Sequence, residues 1–353
     1  MKAIRSETEF INRLIGRFVP SPRRRNAPHE ADAELIDLFG RTRPGTAPLL
    51  AVTTDTIAEE IGTGLYRDPY QIGWMAAMAN LSDLAAVGAD PLGLLVSETL
   101  PDGYGQDALD KLQGGIGDAC SSLGTHVLGG DTNSGPALSI TGTAIGLVGD
   151  GPLLTRKGCA PGDALYAGGR LGRGNGFALS VFGNGRPHPF PGGYFPRARV
   201  REGMLLRGAA SACMDSSDGF FSTLDQLAGL NGVGFSIIGS WEEKLDAVSL
   251  DEIRALGLPP WLLLAGCHGE FELVFTVNAS RRKIFAERAA SIGWSPIEIG
   301  TVTEYPGVLI PVEGGARDVD VTHIRNLSFR RSGGIREYLE ALLEYEHDLV
   351  KGE

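Results

Sequence analysis

Cysteine is scarce and scattered. Cys120, Cys159, Cys213 and Cys267 are the four in a chain of 353 residues and never form C-x-x-C, which excludes a zinc ribbon and a disulfide framework and fits a reducing compartment. No run of about 18 apolar residues occurs, so a membrane-spanning helix is not expected. Basic residues are the minority, 32 against 43 acidic for a net charge of -11, a balance that opposes binding to a phosphate backbone. No nucleic-acid partner is expected. No G-x-x-x-x-G-K-[ST] segment is present, so any nucleotide triphosphate is held without a Walker loop. The N-terminus lacks an apolar h-region with a cleavage site, and Glu7 and Glu9 do not suit an acid-poor transit peptide; the reading is cytoplasmic, without membrane contact.

What the chain has in excess is glycine. Its 50 glycines are about twice the ordinary share of ~7% and follow no collagen-like period, so they mark tight turns and close backbone approaches. With 42% hydrophobic and 21% charged residues the chain has the balance of a folded globular protein. The first twenty residues carry Ile4, Phe10, Ile11, Leu14, Ile15 and Phe18 at helical spacing, predicting an amphipathic helix leaning on the body. A strand is predicted at 49–53, ending in Thr54, Asp55 and Thr56. The clearest helix has Asp68 as N-cap, Pro69 at its first position and Gly88 as its stop. A helix over 107–122, the strands VLGGDT and LSITGTAIGLV, and a Gly/Pro-rich crossover at 149–162 follow. Strands and helices then alternate again, with helices read at 199–211, over FFSTLDQLAGL and at 281–292, and strands at ALYAGG, ACMD, VGFSII and FELVFTV. The alternation predicts an α/β (α+β) protein of two domains, 1–150 and 151–331, with a charged helical extension over 332–353.

Chemistry is signalled by aspartates in unsuitable places. Asp55, Asp83, Asp131 and Asp218 each sit inside or at the end of an apolar or glycine-rich run, with Asp215 three residues before the last. Asp83 is the sharpest case, because it is the only charged residue between Gln71 and Ala89 and has neither a helix end to cap nor easy access to water. Two such carboxylates ~5 Å apart repel by ~3 kcal/mol at an effective dielectric near 20, so a converging set needs a divalent cation. Oxygen ligands without His or Cys point to Mg²⁺, which keeps waters and shares phosphate oxygens, and ATP is the natural third party. Gly129 and Gly130 let the backbone approach a ligand or a neighbouring strand. The string GGRLGRGNG at 168–176 mimics a dinucleotide fingerprint, but its spacing fails G-x-G-x-x-G.

At these residues the chain resembles a known family. TTDT at 53–56, DPYQIGW at 68–74, NLSDLAAVGADP at 80–91, GGDTNSGP at 129–136, LTRKGCAPGD at 154–163 and MDSSDG at 214–219 resemble the thiamine-monophosphate kinases, relatives of aminoimidazole ribonucleotide synthetase, selenophosphate synthetase and a hydrogenase maturation protein. The resemblance runs from about Glu9 to Val302. It implies the two-domain aminoimidazole ribonucleotide synthetase-like fold, with an N-terminal sheet domain that forms a homodimer and a C-terminal α/β domain. It also implies a Mg²⁺-ATP site between the domains: Asp55, Asp83 and Asp131 on metals, oxygens from Thr53 and Thr54, ligands Asp215 and Asp218, and Gly130, Asp131, Arg156 and Ser217 near the nucleotide. Asp32 stands where the family has a paired GDD, of which one acid is kept. The acceptor's own phosphate oxygen would attack the γ-phosphorus, so no general base is nominated.

Departures gather on the acceptor side. Gly62 and Thr63 replace the family's substrate-touching His, Gly269 stands in the substrate Glu position with Glu270 one place on, and no tryptophan follows Trp294. Tyr338 or Phe329 are the candidates to replace that tryptophan. Ser134 stands where an Arg is usual and Thr223 where an acid is usual. Gly62, His268 and Glu270 are therefore the candidate contacts to a small-molecule phosphate acceptor, either thiamine monophosphate or another small phosphate- or hydroxyl-bearing metabolite. Arg23, Arg24 and Arg25 form the tightest basic run, read as a solvated loop or a phosphate clamp. Two alternatives stay open: an ATP-dependent enzyme activating a carbonyl or amide oxygen for C–N bond formation, and a degenerate nucleotide-binding protein without turnover.

Overall fold

The computed structural model describes residues 6–40, 48–182, 190, 193–312, 314–329, 338 and 340–345. The first half runs α1 (Glu7–Ile15), β1 (Glu34–Ile36), β2 (Leu49–Thr56), α2 (Ala58–Thr63), α3 (Pro69–Ala86), β3 (Asp90–Pro101), α4 (Gln106–Ser122), β4 (Val127–Gly135) and β5 (Ser139–Val148). Its five strands form one sheet in the order β1-β2-β5-β3-β4, antiparallel except for the β3/β4 pair, which α4 connects.

The second half runs β6 (Ala164–Ala167), α5 (Arg173–Phe182), α6 (Val200–Leu206), β7 (Ala212–Asp215), α7 (Phe220–Asn231), β8 (Gly234–Ile237), α8 (Trp241–Lys244), α9 (Ala247–Ala255), α10 (Leu262–Ala265), β9 (Leu273–Val277), α11 (Arg282–Ser291), β10 (Ile297–Thr303), β11 (Val308–Val312), β12 (Gly315–Val319) and α12 (Val321–Phe329). Its seven strands are ordered β12-β11-β8-β10-β6-β9-β7. The mixed α/β architecture with two sheets agrees with the predicted class.

α3 is the hub. Asp68 accepts the Gln71 amide at 3.1 Å, Pro69 follows, and Gly88 closes the end with φ of +65°. Met75, Met78, Leu81 and Leu84 are fully buried, each adding about 2 kcal/mol of apolar burial. α4 docks on α3 backbone to backbone, since a Cβ on Gly73 would lie 2.1 Å from the Leu112 carbonyl oxygen and one on Gly115 would lie 2.0 Å from that of Tyr70. The same core continues into the second half through Cys213, Phe275 and Trp294, so the two sheets share packing across α3. A second core around Phe220, Phe221, Phe235 and Leu263 fills the rest of that half.

Several expectations change. The N-terminal helix covers only part of its apolar stripe: Ile11 and Ile15 are half-buried, while Phe10 is 39% and Leu14 50% exposed. The GGRLGRGNG string leads into α5, and the helix read at 199–211 stops at Leu206. β1 and β10 to β12 were not anticipated. Residues 340–345 are helical, but most of the predicted 332–353 extension lies outside the described residues. Among the described residues no helix is long and apolar enough to cross a membrane.

Candidate metal and nucleotide site

Three aspartates from three parts of the chain meet between the two halves. Asp32 comes from the loop before β1, Asp83 from the last turn of α3 and Asp215 from the end of β7, and one carboxylate oxygen of each lies within 4.8 Å of the others. Hydroxyls orient them. Thr53 on β2 donates to Asp83 at 2.5 Å, Ser82 on α3 donates to Asp215 at 2.6 Å, and Ser217 donates to its other oxygen at 3.0 Å. Arg156, from the crossover, donates to Asp32 at 2.8 Å and to Gln226 at 3.0 Å. Burial alone would lower the Arg156 pKa, but Asp32 and the acids behind it hold it above its ordinary value.

One guanidinium does not neutralise three carboxylates. Burial, then Asp215 and Asp55, push Asp83 well above the carboxylate range, while burial and Asp32 push Asp215 up to about 7. Asp32 adds an independent sign: its side chain is fully buried and its Oδ2 has no hydrogen-bond partner among the described residues. An orphaned buried oxygen, facing two more carboxylates and no soft ligand, fits a hard divalent cation such as Mg²⁺.

Asp55 and Asp218 stand at the rim, still reached by solvent. Loss of surrounding water, then Asp218, Glu60 and Asp32, raise Asp55 to about 6. Asp218 is raised by desolvation and Glu7, against the pull of Arg325 and Arg156. Asn80 accepts the Asp55 amide at 2.9 Å and fixes the strand end on α3.

Other candidates are not brought to this cluster. Strand alternation turns the Thr54 hydroxyl away, to the Gly142 carbonyl at 2.7 Å. Asp131 lies on edge strand β4, exposed and accepting from Asn133 at 2.6 Å, three strands from Asp55 because β5 and β3 intervene. At Gly130 a Cβ would sit 1.9 Å from the Val96 carbonyl oxygen, so the glycine serves strand packing. Gly62 is exposed on α2, where an added Cβ would meet no described side chain within 4 Å.

The Glu270 side chain is turned inward. It is 5% exposed and accepts the amides of Gly172, Arg173 and Gly174 at 2.8, 3.0 and 3.2 Å, while burial lifts its carboxyl to about 8 against those donors. His268 is half-buried and lines an apolar cavity of about 100 Å³ with Leu262, Tyr338 and Leu342. Tyr338 points its hydroxyl at the Ala265 carbonyl at 2.8 Å, whereas the Phe329 side chain lies outside the described residues. Thr223 binds the carbonyls of Asp215 and Gly219 at 3.1 and 3.0 Å and so braces the turn that carries Ser217. The arginine run is held internally: Arg23 on the Leu38 carbonyl, Arg24 on Glu34 and Arg25 on Asp37.

Sequence reasoning missed Ser82, Gln226 and the ion pairs of Arg325 with Glu7 and Asp225, at 3.1 and 3.2 Å, which tie α12 to α1 and to α7 beside Asp218. Ser82 was findable, as a polar neighbour of Asp83 within an apolar helix. The pair of Arg325 with Glu7 joins residues 318 positions apart in the chain and leaves no local signal.

Comparison with known proteins now decides the family. The family described as AIR synthase related protein, N-terminal domain, matches residues 31–148. Thiamine-monophosphate kinase of Buchnera aphidicola (subsp. Acyrthosiphon pisum) is 31% identical over 271 residues, covering 71% of this chain and 81% of that protein. The chain belongs to the thiamine-monophosphate kinase family. As a member of that family it is an ATP-dependent kinase. The crystal structure of tt0281 from Thermus thermophilus superposes with a TM-score of 0.73 at 28% identity, covering 88% of this chain and 97% of the other. AaThiL complexed with AMPPCP and TMP shares the fold, with a TM-score of 0.71 at 23% identity over 90% and 99% of the two chains.

Proposed function

We propose that this kinase moves the γ-phosphoryl group of ATP, with Mg²⁺, to a small phosphate-bearing metabolite whose recognition has departed from that of thiamine monophosphate. The observation that carries the reading is the convergence of Asp32, Asp83 and Asp215 around an Asp32 oxygen with no hydrogen-bond partner among the described residues. Asp55 and Asp218 complete the ligand set at the rim, with Thr53 supporting Asp83. Mg²⁺ bound there would neutralise charge on the β- and γ-phosphates during transfer. The chain's own residues do the rest. Thr53, Ser82 and Ser217 fix the carboxylates, Arg156 balances Asp32, and Ser217 and Arg156 are the candidates to face the phosphates. The acceptor's phosphate oxygen attacks without a side-chain base.

On the acceptor side Gly62 and Gly269 offer no side chain and Glu270 is turned inward, which supports a changed acceptor. Thiamine monophosphate is tested first by ADP release, followed by other small phosphate esters. Efficient conversion of thiamine monophosphate to the diphosphate overturns the changed-acceptor reading.

We also propose that the chain pairs with a second copy through the β3/β4 face, where Leu92, Leu95, Val127 and Leu128 are each 38–53% exposed side by side. That face carries the β4 edge and Asp131, which pairing would cover.

A further inference from the structure

We propose that Glu270 is a positioning residue for the nucleotide turn, Asp215 to Gly219, acting through the start of α5. The proposal rests on reading that turn as part of the ATP site, and nothing in that reading assigns Glu270 a role.

Three backbone layers are stacked here. The first is the start of α5, the second the 266–272 segment and the third the turn after β7. Their spacing leaves no room for side chains. A Cβ on Gly174 would lie 2.3 Å from the Gly269 carbonyl oxygen, and one on Gly269 would lie 2.1 Å from that of Ser217. Gly219, at φ of +91°, meets the Gly266 carbonyl at 2.0 Å in the same way. A shift in the middle layer is therefore passed directly to Ser217 and Gly219.

Glu270 fixes that middle layer at both faces. Its carboxylate fills the N-terminus of α5 through three amides, and its own amide donates to the Ser216 carbonyl at 3.2 Å. The next residue, Phe271, is held at φ of +55°, a strained conformation for an aromatic residue that persists only when its surroundings impose it. Glu272 completes the grip: its carbonyl accepts the Ser216 amide at 3.0 Å and its carboxylate pairs with Arg199 at 2.6 Å. The glycine string that imitates a dinucleotide fingerprint thus binds an internal carboxylate in place of a phosphate.

The test is Glu270→Gln, in which one face of the side chain becomes a donor opposed to backbone donors. Amide hydrogen exchange without nucleotide is expected to accelerate about tenfold at 215–219 as well as at 172–174 and 266–272. Mg²⁺-ATP affinity is expected to fall about tenfold. Tyr194→Phe, which removes the hydroxyl 3.0 Å from the Gly269 carbonyl, loosens the same segment and serves if the first variant does not fold. It is expected to accelerate the same 215–219 amides about threefold. Acceleration confined to 172–174 and 266–272, with wild-type nucleotide affinity, overturns the proposal. If the wild type binds no Mg²⁺-ATP, the functional reading fails instead, and exchange at 215–219 still decides whether Glu270 positions the turn.

Discussion

The hydroxyl of Ser82, on α3 of the first half, donates to the carboxylate of Asp215, on β7 of the second, at 2.6 Å. Its neighbour Asp83 faces the same carboxylate. Two consecutive residues of one helix therefore meet the second half's acid with opposite effects, one stabilising its charge and the other repelling it.

Ser82→Ala removes the stabilising partner. Losing a hydrogen bond to a buried charge costs about 1.5–3 kcal/mol, which favours the protonated acid. Asp215 then titrates above its present value of about 7. Calorimetric titration is expected to show Mg²⁺ affinity in the presence of ATP about tenfold weaker at neutral pH, with most of the loss recovered at alkaline pH. Equal loss at both pH values contradicts this origin.

The site was partly legible in the sequence because cost is local. An aspartate inside the apolar run of α3 is expensive wherever the helix packs, so Asp83 could be singled out unaided. Asp131 could not be placed, because its distance from Asp55 depends on β5 and β3 entering the sheet between their strands. The inward turn of Glu270 was hidden for a related reason: its partners at 172–174 lie 96 to 98 residues away and their amides carry no side-chain signature. The exposed face of α1 was equally hidden, since helical spacing shows that an apolar stripe exists and not what covers it.

Stability without metal is expected to fall as pH rises from about 5 to 8. Asp55 and Asp215 have folded pKa values of about 6 and 7, above the ordinary 3.8, so the folded state holds more protons than the unfolded chain in that window. Their contribution is complete below the unfolded value and is lost as pH rises through the folded one. Thermal unfolding across the window, with chelator, checks the sign. Added Mg²⁺ is expected to flatten or reverse the trend, and a melting temperature that climbs with pH in chelator contradicts it.

Asp83→Asn keeps an acceptor for the Thr53 hydroxyl and replaces an acid whose ionisation is opposed by burial and by Asp215 and Asp55. At separations near 5 Å each repulsion is ~3 kcal/mol at an effective dielectric near 20, so the metal-free variant is expected to be more stable than the wild type by about 1–3 kcal/mol. Denaturant unfolding in chelator measures this. A large destabilisation would mean that the Asp83 charge supports the fold.

Leu128→Glu places a charge on the exposed β3/β4 face, where Leu128 is 53% exposed. Sedimentation velocity is expected to show a dimer for the wild type and a monomer for the variant, with unchanged circular dichroism. A monomeric wild type contradicts pairing through this face.

The most direct measurement is calorimetric titration of ATP into the wild type and Asp83→Asn, each with Mg²⁺ and with chelator. Binding is predicted for the wild type with Mg²⁺ alone, at least about a hundredfold weaker in the variant, as expected when a ligand is lost from a carboxylate cation site. Nucleotide binding that ignores both the metal and the substitution would contradict the account.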